Sequence, residues 1–170
     1  MNGLTDATGD PLPPEETPSP EVLRAYGDAM FLAFRSPRHA GMDVANLRAA
    51  FEPPLVLGQY RIFRFDEVPR AIYTFAFLSP EGERRYVGGQ VLRPADWRAP
   101  GGRLWLIDII APYRGLMASL GRWIMEKGNV SDTGFLFRRI EGERGTRRIT
   151  EARFENGRKR LIVRKEAEFL

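Results

Sequence analysis

The chain has 170 residues, of which 43% are hydrophobic and 28% charged, an ordinary composition for one globular domain. It has no cysteine and one histidine, His39, which excludes disulfide scaffolds, thiolate nucleophiles, cysteine-ligated metal centres and multi-histidine metal sites. The net charge of +4 combines −5 over residues 1–22 with +9 over the remainder, and this basic body predicts an acidic partner.

Residues 1–18 are acidic and rich in proline, and they carry few apolar side chains. We predict a disordered tail there, followed by a single domain over residues 19–170. The N-terminal segment lacks the basic and apolar regions of a secretory signal. No apolar run approaches the roughly 20 residues that span a bilayer. We therefore expect a cytoplasmic protein without a membrane span.

Two helices are predicted after the tail. The first begins at the Ser19 cap, continues with apolar residues at helical spacing, and ends near Arg35, because the next residue precedes a proline. The second is a short helix over residues 43–51, which the proline pair at 53–54 is expected to end.

The rest of the chain is dominated by β-prone segments. A turn at Glu81-Gly82 and a hairpin turn at Asn156-Gly157 punctuate them, and one further helix is predicted over Leu116–Lys127. The predicted strands are Gln59–Phe65, Ala71–Leu78, Arg84–Val87, Arg103–Ile110, Gly134–Ile140, Arg147–Phe154 and Arg160–Arg164. This order predicts the α+β class, with a mostly antiparallel central sheet and helices on its faces.

His39 and Asp108 are the residues best suited to acid–base chemistry. His39 lies in a predicted loop and is the only side chain of the type that ordinarily titrates near neutral pH. Asp108 interrupts an apolar strand, so it must be paired, protonated, or placed at a strand end facing a cleft. A histidine oriented by an aspartate is the usual pair for general-base catalysis. A surface or capping histidine and a structural Asp–Arg bridge are the alternatives.

Two further features are candidates for a role in the same chemistry. Ser36 lies three residues before His39, and we favour a hydrogen-bonding role at the helix end over covalent catalysis, because no nucleophile elbow surrounds it. Arg114 and Gly115 join a strand to a helix, where free backbone N–H groups form an anion or oxyanion site. A plain strand–helix connection is the alternative for that segment.

Three segments together resemble the RTX toxin-activating lysine acyltransferases. They are S-P-x-H at Ser36–His39, the block L-x-P-A-D-W-x-x-x-G-x-R-L-W-L-I-D-I-I-A-P-Y over Leu92–Tyr113, and an arginine–isoleucine pattern over Arg138–Lys159. The resemblance covers residues 20–160, and the second segment is its most specific part.

The resemblance implies an acyltransferase with a fold similar to the GNAT acetyltransferases. Members of the family move a fatty acyl group from acyl carrier protein to internal lysines of an RTX protoxin, in the bacterial cytoplasm, and they tend to form homodimers. Their essential histidine and aspartate match His39 and Asp108, and Ser36 matches an implicated serine. No bound cofactor is implied. After Gly115 the chain lacks the closely spaced glycines of a coenzyme A pyrophosphate loop, which favours a carrier-protein donor.

Two other functions remain open from the sequence. One is an N-acetyltransferase that uses acetyl-coenzyme A on another amine. The other is a nucleic-acid-binding module built on residues 138–170, which sum to +5. The mixed charge signs of that segment favour an ordinary solvated sheet face, so we expect no nucleic-acid partner.

Overall fold

The computed structural model describes residues 7–10, 18–142 and 145–170. The predicted acidic tail, residues 1–18, lies outside the described residues except for 7–10 and 18. The helices of the described part are α1 (Pro20–Ala33), α2 (Val44–Leu57), α3 (Pro80–Val87) and α4 (Leu116–Ile124). Its strands are β1 (Tyr60–Phe65), β2 (Val68–Leu78), β3 (Arg103–Ile110), β4 (Gly134–Glu141), β5 (Gly145–Glu155) and β6 (Arg158–Arg164).

The six strands form one open sheet in the order β1-β2-β3-β4-β5-β6. Neighbouring strands are antiparallel except for β3 and β4, which are parallel. The predicted α+β class with a mostly antiparallel sheet is confirmed, and the architecture is consistent with a GNAT-like fold. In the described part of the chain, no helix combines the length and the apolarity needed to cross a membrane.

Alternating residues of β2 show how the helices cover the sheet. Ile72 packs with α1 and α2, and Ala76 and Leu78 pack with α3, so these three helices lie on one face. Ala71 and Tyr73 pack with α4 on the opposite face. Side chains of β3 contribute to both faces, so this central strand carries the core of the molecule.

Several predicted elements are confirmed. Ser19 caps α1 by accepting a hydrogen bond from the Val22 N–H at 3.3 Å, and β3 has the predicted bounds. Asn156 and Gly157 both adopt positive φ, as a tight hairpin turn between β5 and β6 requires. Helix α4 is shorter than predicted and ends at Ile124.

Two predictions about local structure are wrong. Helix α2 does not end before its proline pair but continues to Leu57, because Phe51, Pro54 and Leu55 are buried and this packing offsets the lost backbone hydrogen bonds. The predicted turn and strand at residues 81–87 form α3 instead. Ser79 caps this helix by accepting from the Gly82 N–H at 3.2 Å, a start signal that the sequence interpretation overlooked.

Candidate active site

The turn between α1 and α2 places His39 inside the protein. Ser36 follows the end of α1, and its carbonyl accepts hydrogen bonds from the backbone N–H groups of His39 and Ala40. This tight turn points the His39 ring inward, where it is 2% exposed and lies 5.8 Å from the Phe51 ring, centroid to centroid. His39 therefore lies in a turn, as predicted, but it is not a surface histidine.

A β-bulge in β3 aims Asp108 at that histidine. Phe75 of β2 pairs with Leu106 while Thr74 pairs with Asp108, so Ile107 is the extra residue. The Tyr86 hydroxyl donates to the Ile107 carbonyl at 2.9 Å, which satisfies the group that the bulge removes from the ladder. With the extra residue, Ile107 and Asp108 lie on the same face as α1 and α2. Without it, alternation would turn Asp108 toward α4.

Asp108 is held by three donors. His39 Nε2 lies 2.6 Å from Oδ2, while Arg38 Nη1 and the Ile109 backbone N–H donate to Oδ1 at 3.2 Å and 2.8 Å. Burial alone would raise the pKa of the Asp108 carboxyl, but the hydrogen bond and charge of His39, with Arg38 and Ile109, hold that pKa below its ordinary value. Asp108 is therefore an ionised carboxylate held in one position. Its side-chain partners are a histidine and an arginine, the two types expected from the sequence.

The two ring nitrogens of His39 have different partners. A carboxylate only accepts hydrogen bonds, so Nε2 carries a hydrogen and donates it to Asp108. In the neutral ring, Nδ1 is then the acceptor, and the Ser36 hydroxyl, 2.7 Å away, donates to it. The three predicted residues Ser36, His39 and Asp108 thus form one continuous hydrogen-bonded chain. The arrangement can accept a proton at one end and stabilise the resulting imidazolium at the other.

Two cavities meet at Asp108. The first, of about 110 Å³, lies between α2 and the segment of residues 89–97. The second, of about 410 Å³, lies between β3 and β4, whose parallel pairing extends only over Trp105–Leu136 and Leu106–Phe137. Beyond those pairs the strands enclose the cavity instead of bonding to each other. Arg38, Ile107, Asp108 and Arg138 line both cavities, whereas His39 lies behind Asp108 and lines neither.

The predicted anion site at Arg114 and Gly115 lies elsewhere on the surface. These residues line a separate opening with Phe63, Tyr113 and Ser119, and they line neither cavity at Asp108. Gly115 adopts φ of 78° as the N-cap of α4, which explains a glycine at this position without a ligand. The structure brings Ser36, His39 and Asp108 together and does not bring Arg114 and Gly115 to them.

Sequence reasoning did not single out Arg38 or Arg138. Arg38 is the variable position of S-P-x-H, next to His39, and its side chain binds Asp108. Arg138 lies on β4 with its guanidinium 4.0 Å from the centre of the Tyr86 ring. An arginine beside the candidate base is visible in the sequence, but only the parallel pairing of β3 with β4 brings Arg138 to Asp108.

Comparison with known proteins identifies the family of the chain. Residues 19–148 match the RTX toxin acyltransferase family. The chain is 30% identical over 153 residues to an RTX-II toxin-activating lysine-acyltransferase of Actinobacillus pleuropneumoniae, covering 83% of this chain and 94% of that protein. It is 34% identical over 107 residues to a protein-lysine palmitoyltransferase of Bordetella bronchiseptica, covering 60% and 57% of the two chains. It is 29% identical over 130 residues to an Escherichia coli protein-lysine myristoyltransferase, covering 76% and 72%.

Proposed function

The chain belongs to the RTX toxin acyltransferase family, and from that membership we propose a specific reaction. The protein moves a fatty acyl group from acyl-acyl carrier protein to the ε-amine of internal lysines of an RTX-type protoxin, in the cytoplasm. The hydrogen-bonded chain from Ser36 through His39 to Asp108, ending where two cavities meet, is the observation that carries this proposal.

The proposed reaction forms an amide bond and breaks a thioester C–S bond. The target lysine loses one proton to water and then attacks the thioester carbonyl as the neutral amine. Ser36 lines neither cavity, so the second proton passes from the amine nitrogen through a water molecule to Ser36 Oγ, as the serine hydrogen moves to His39 Nδ1. When the tetrahedral intermediate collapses, the imidazolium returns a proton along the same route to the departing thiolate. The products are the acylated lysine and the free thiol of the carrier.

Each side chain of the site has one role in this scheme. Ser36 carries the proton between substrate and base, because the Nδ1 lone pair of the buried His39 points to it. Asp108 fixes the ring tautomer and stabilises the imidazolium. Arg38 uses one guanidinium N–H on Asp108, and because Arg38 lines both cavities we assign its remaining donors to the oxyanion. This assigns the oxyanion role to Arg38 in place of the Arg114-Gly115 segment.

The charge of the second cavity supports the carrier-protein donor. Arg38, Arg138, Arg139 and Arg147 line it together with apolar side chains of β3 and β4. Arginine clusters bind phosphate and carboxylate groups, and an acyl carrier protein is acidic and presents its acyl group on a phosphopantetheine arm. We therefore place the arm in the gap between β3 and β4, with the thioester beside Asp108.

The test is an intact-mass measurement on purified components. We would incubate the protein with myristoyl-acyl carrier protein and an RTX-repeat protein from the same source, and compare it with His39→Ala and His39→Gln. The glutamine variant keeps a donor toward Asp108 but has no base, so both variants are expected to lose about 10²–10⁴-fold in rate. Full transfer by either variant would contradict the role of His39.

Two further arms separate the alternatives. Myristoyl-coenzyme A in place of the carrier protein tests the donor, and equal rates with both donors would overturn the carrier-protein assignment. Ser36→Ala tests the relay, and it is expected to slow transfer about 10–100-fold. A fatty acyl mass that accumulates on the protein itself when no RTX-repeat protein is added, and that is absent from Ser36→Ala, would instead identify Ser36 as a covalent nucleophile.

A further inference from the structure

The first cavity is lined by two arginines and the second by four, so the first carries less positive charge. Its walls include Ala49 and Ala50 of α2 on one side, and Leu92, Trp97 and Ile107 on the other. We propose that this cavity is the binding site for the acyl chain of the donor, and that its alanine wall determines which chain lengths are used. The inference rests on the proposed acyl transfer and adds the site where the chain is held.

Helix geometry explains why this wall is open. Asn46, Ala49 and Ala50 are three and four residues apart, so they lie on one face of α2, directed at the cavity. The two alanines fill little space beside the fully buried Trp97. A larger apolar residue at either position would occupy the space that is now empty. The cavity therefore exists because small side chains stand where a close-packed core would carry larger ones.

The position of the cavity matches an acyl chain whose carbonyl is attacked at Asp108. Asp108 and Arg38 line the cavity, and they also line the arginine-rich gap between β3 and β4. A thioester at this junction directs its two arms into different environments. The polar pantetheine arm follows the gap with four arginines, and the hydrocarbon arm enters the first cavity along its apolar wall, since burying methylene groups away from water is favourable.

The volume of the cavity makes it sensitive to the length of the chain. At about 110 Å³ it is smaller than the engineered cavity of ~150 Å³ that holds a benzene molecule. It therefore holds only part of a long chain, and the remainder extends past Val91, which also lines the cavity and is an exposed apolar residue. Adding or removing a few carbon atoms at the wall changes how much of the chain is buried.

The test compares donors of different length. We would measure kcat/KM for acyl carrier protein loaded with chains from acetyl to palmitoyl, using wild type, Ala49→Leu and Met42→Ala. Met42 lines the same cavity, so its truncation widens it. The matched control is Ala45→Leu, which makes the same substitution at an exposed position of α2 outside the cavity lining.

Ala49→Leu is expected to lower the palmitoyl to acetyl ratio of kcat/KM by about tenfold or more, since each methylene excluded from an apolar site costs about fourfold and an acetyl group has none to exclude. Met42→Ala is expected to shift the ratio in the opposite direction, and Ala45→Leu to leave it unchanged. A ratio does not depend on the fraction of folded enzyme, so partial unfolding of a variant cannot mimic the effect.

The possible failures are distinguishable. If wild type transfers acyl groups but the ratio is the same in Ala49→Leu and Met42→Ala, the cavity does not hold the chain, while the proposed function stands. If wild type transfers no chain of any length, the proposed function is overturned and the assignment of the cavity with it.

Discussion

Two carboxylates with little exposure lie near the two ends of β3, and of these two only Asp108 faces the junction of the two cavities. Near the start of the strand, Glu83 of α3 is 3% exposed and accepts hydrogen bonds from Trp105 Nε1 at 2.8 Å and from Arg103 Nε at 2.6 Å. Near its other end, Asp108 binds His39 and Arg38. Glu83 lines neither of the cavities that meet at Asp108.

The comparison shows what separates a structural carboxylate from a reactive one. Both groups are largely shielded from solvent and both are paired with arginine, so shielding and pairing do not identify a catalytic site. Glu83 is bound by donors that stay protonated, an indole and a guanidinium. Asp108 is bound by a histidine whose second nitrogen accepts a proton, beside space for a substrate. The titratable partner and the cavity make the difference.

The largest expected effect comes from neutralising Asp108. Asp108→Asn keeps the size of the side chain but removes the negative charge that stabilises the His39 imidazolium and fixes its tautomer. Acyl transfer is expected to fall about 10³–10⁴-fold, as in other histidine–aspartate pairs. Initial rates from intact-mass measurements would test this, with circular dichroism to verify folding. A rate within tenfold of wild type would remove Asp108 from the mechanism.

The matching change at the other end of β3 should affect stability and not chemistry. Glu83→Ala leaves the buried Trp105 indole N–H without its acceptor, so the free energy of unfolding is expected to fall by about 1–3 kcal/mol. Urea unfolding gives this quantity, and the transfer rate per folded molecule should be unchanged.

Glu81→Ala is the control for that substitution. Glu81 lies on the same helix but is exposed, and it pairs with Arg85 at 2.8 Å on the surface. Its removal is expected to change the free energy of unfolding by about 0.5 kcal/mol or less. Equal losses of unfolding free energy from Glu83→Ala and Glu81→Ala would show that burial of Glu83 adds nothing to its contribution to stability.

The sequence predicts the two ends of β3 unequally well. The sequence predicts β3 because a short apolar run bounded by Gly102 and Pro112 is typical of a buried strand. The charged residue inside that run indicated a special role for Asp108. Nothing local to Glu83 distinguishes it from a solvated glutamate, and the sequence predicts a turn and a strand where α3 forms. Ser79 provides a capping signal for α3, but an eight-residue helix is too short to show a clear helical periodicity.

Long-range pairing was beyond the sequence pattern. His39 and Asp108 are far apart in the chain, and they meet because a one-residue bulge turns Asp108 to the face where the α1–α2 turn lies. From the sequence, only the resemblance to a family indicated that these two residues act together. The acyl-chain cavity depends on the separation between α2 and residues 89–97, a property of packing that no local pattern encodes.

A smaller effect is expected from changing the shape of the Arg38 charge. Arg38→Lys keeps a positive charge but loses the planar guanidinium, which donates to Asp108 through one N–H and has further donors for the oxyanion. The transfer rate is expected to fall about tenfold, with Arg38→Gln slower still. The control is Arg35→Lys, which makes the same substitution at an exposed residue just after the end of α1. A rate that is unchanged in Arg38→Lys but lost in Arg38→Gln would reduce the role of Arg38 to charge alone.

The smallest expected effect is a change in acid stability. The pKa of Asp108 in the folded protein is below its ordinary value of 3.8, so its ionisation stabilises the fold above about pH 4. That contribution is lost as the pH falls from the unfolded-state pKa through the lower folded-state pKa. Asp108→Asn lacks it at every pH. The difference in unfolding free energy between wild type and Asp108→Asn should therefore shrink below about pH 5.

Urea unfolding of both proteins at a series of acidic pH values measures this difference. Glu151, which Arg153 and Arg164 bind, also has a lowered pKa despite its burial, but it is present in both proteins and cancels. A difference that stays constant or widens on acidification would mean that Asp108 is not held as a carboxylate. The proton would then reside on the pair at rest, and His39 would need another group to orient it for catalysis.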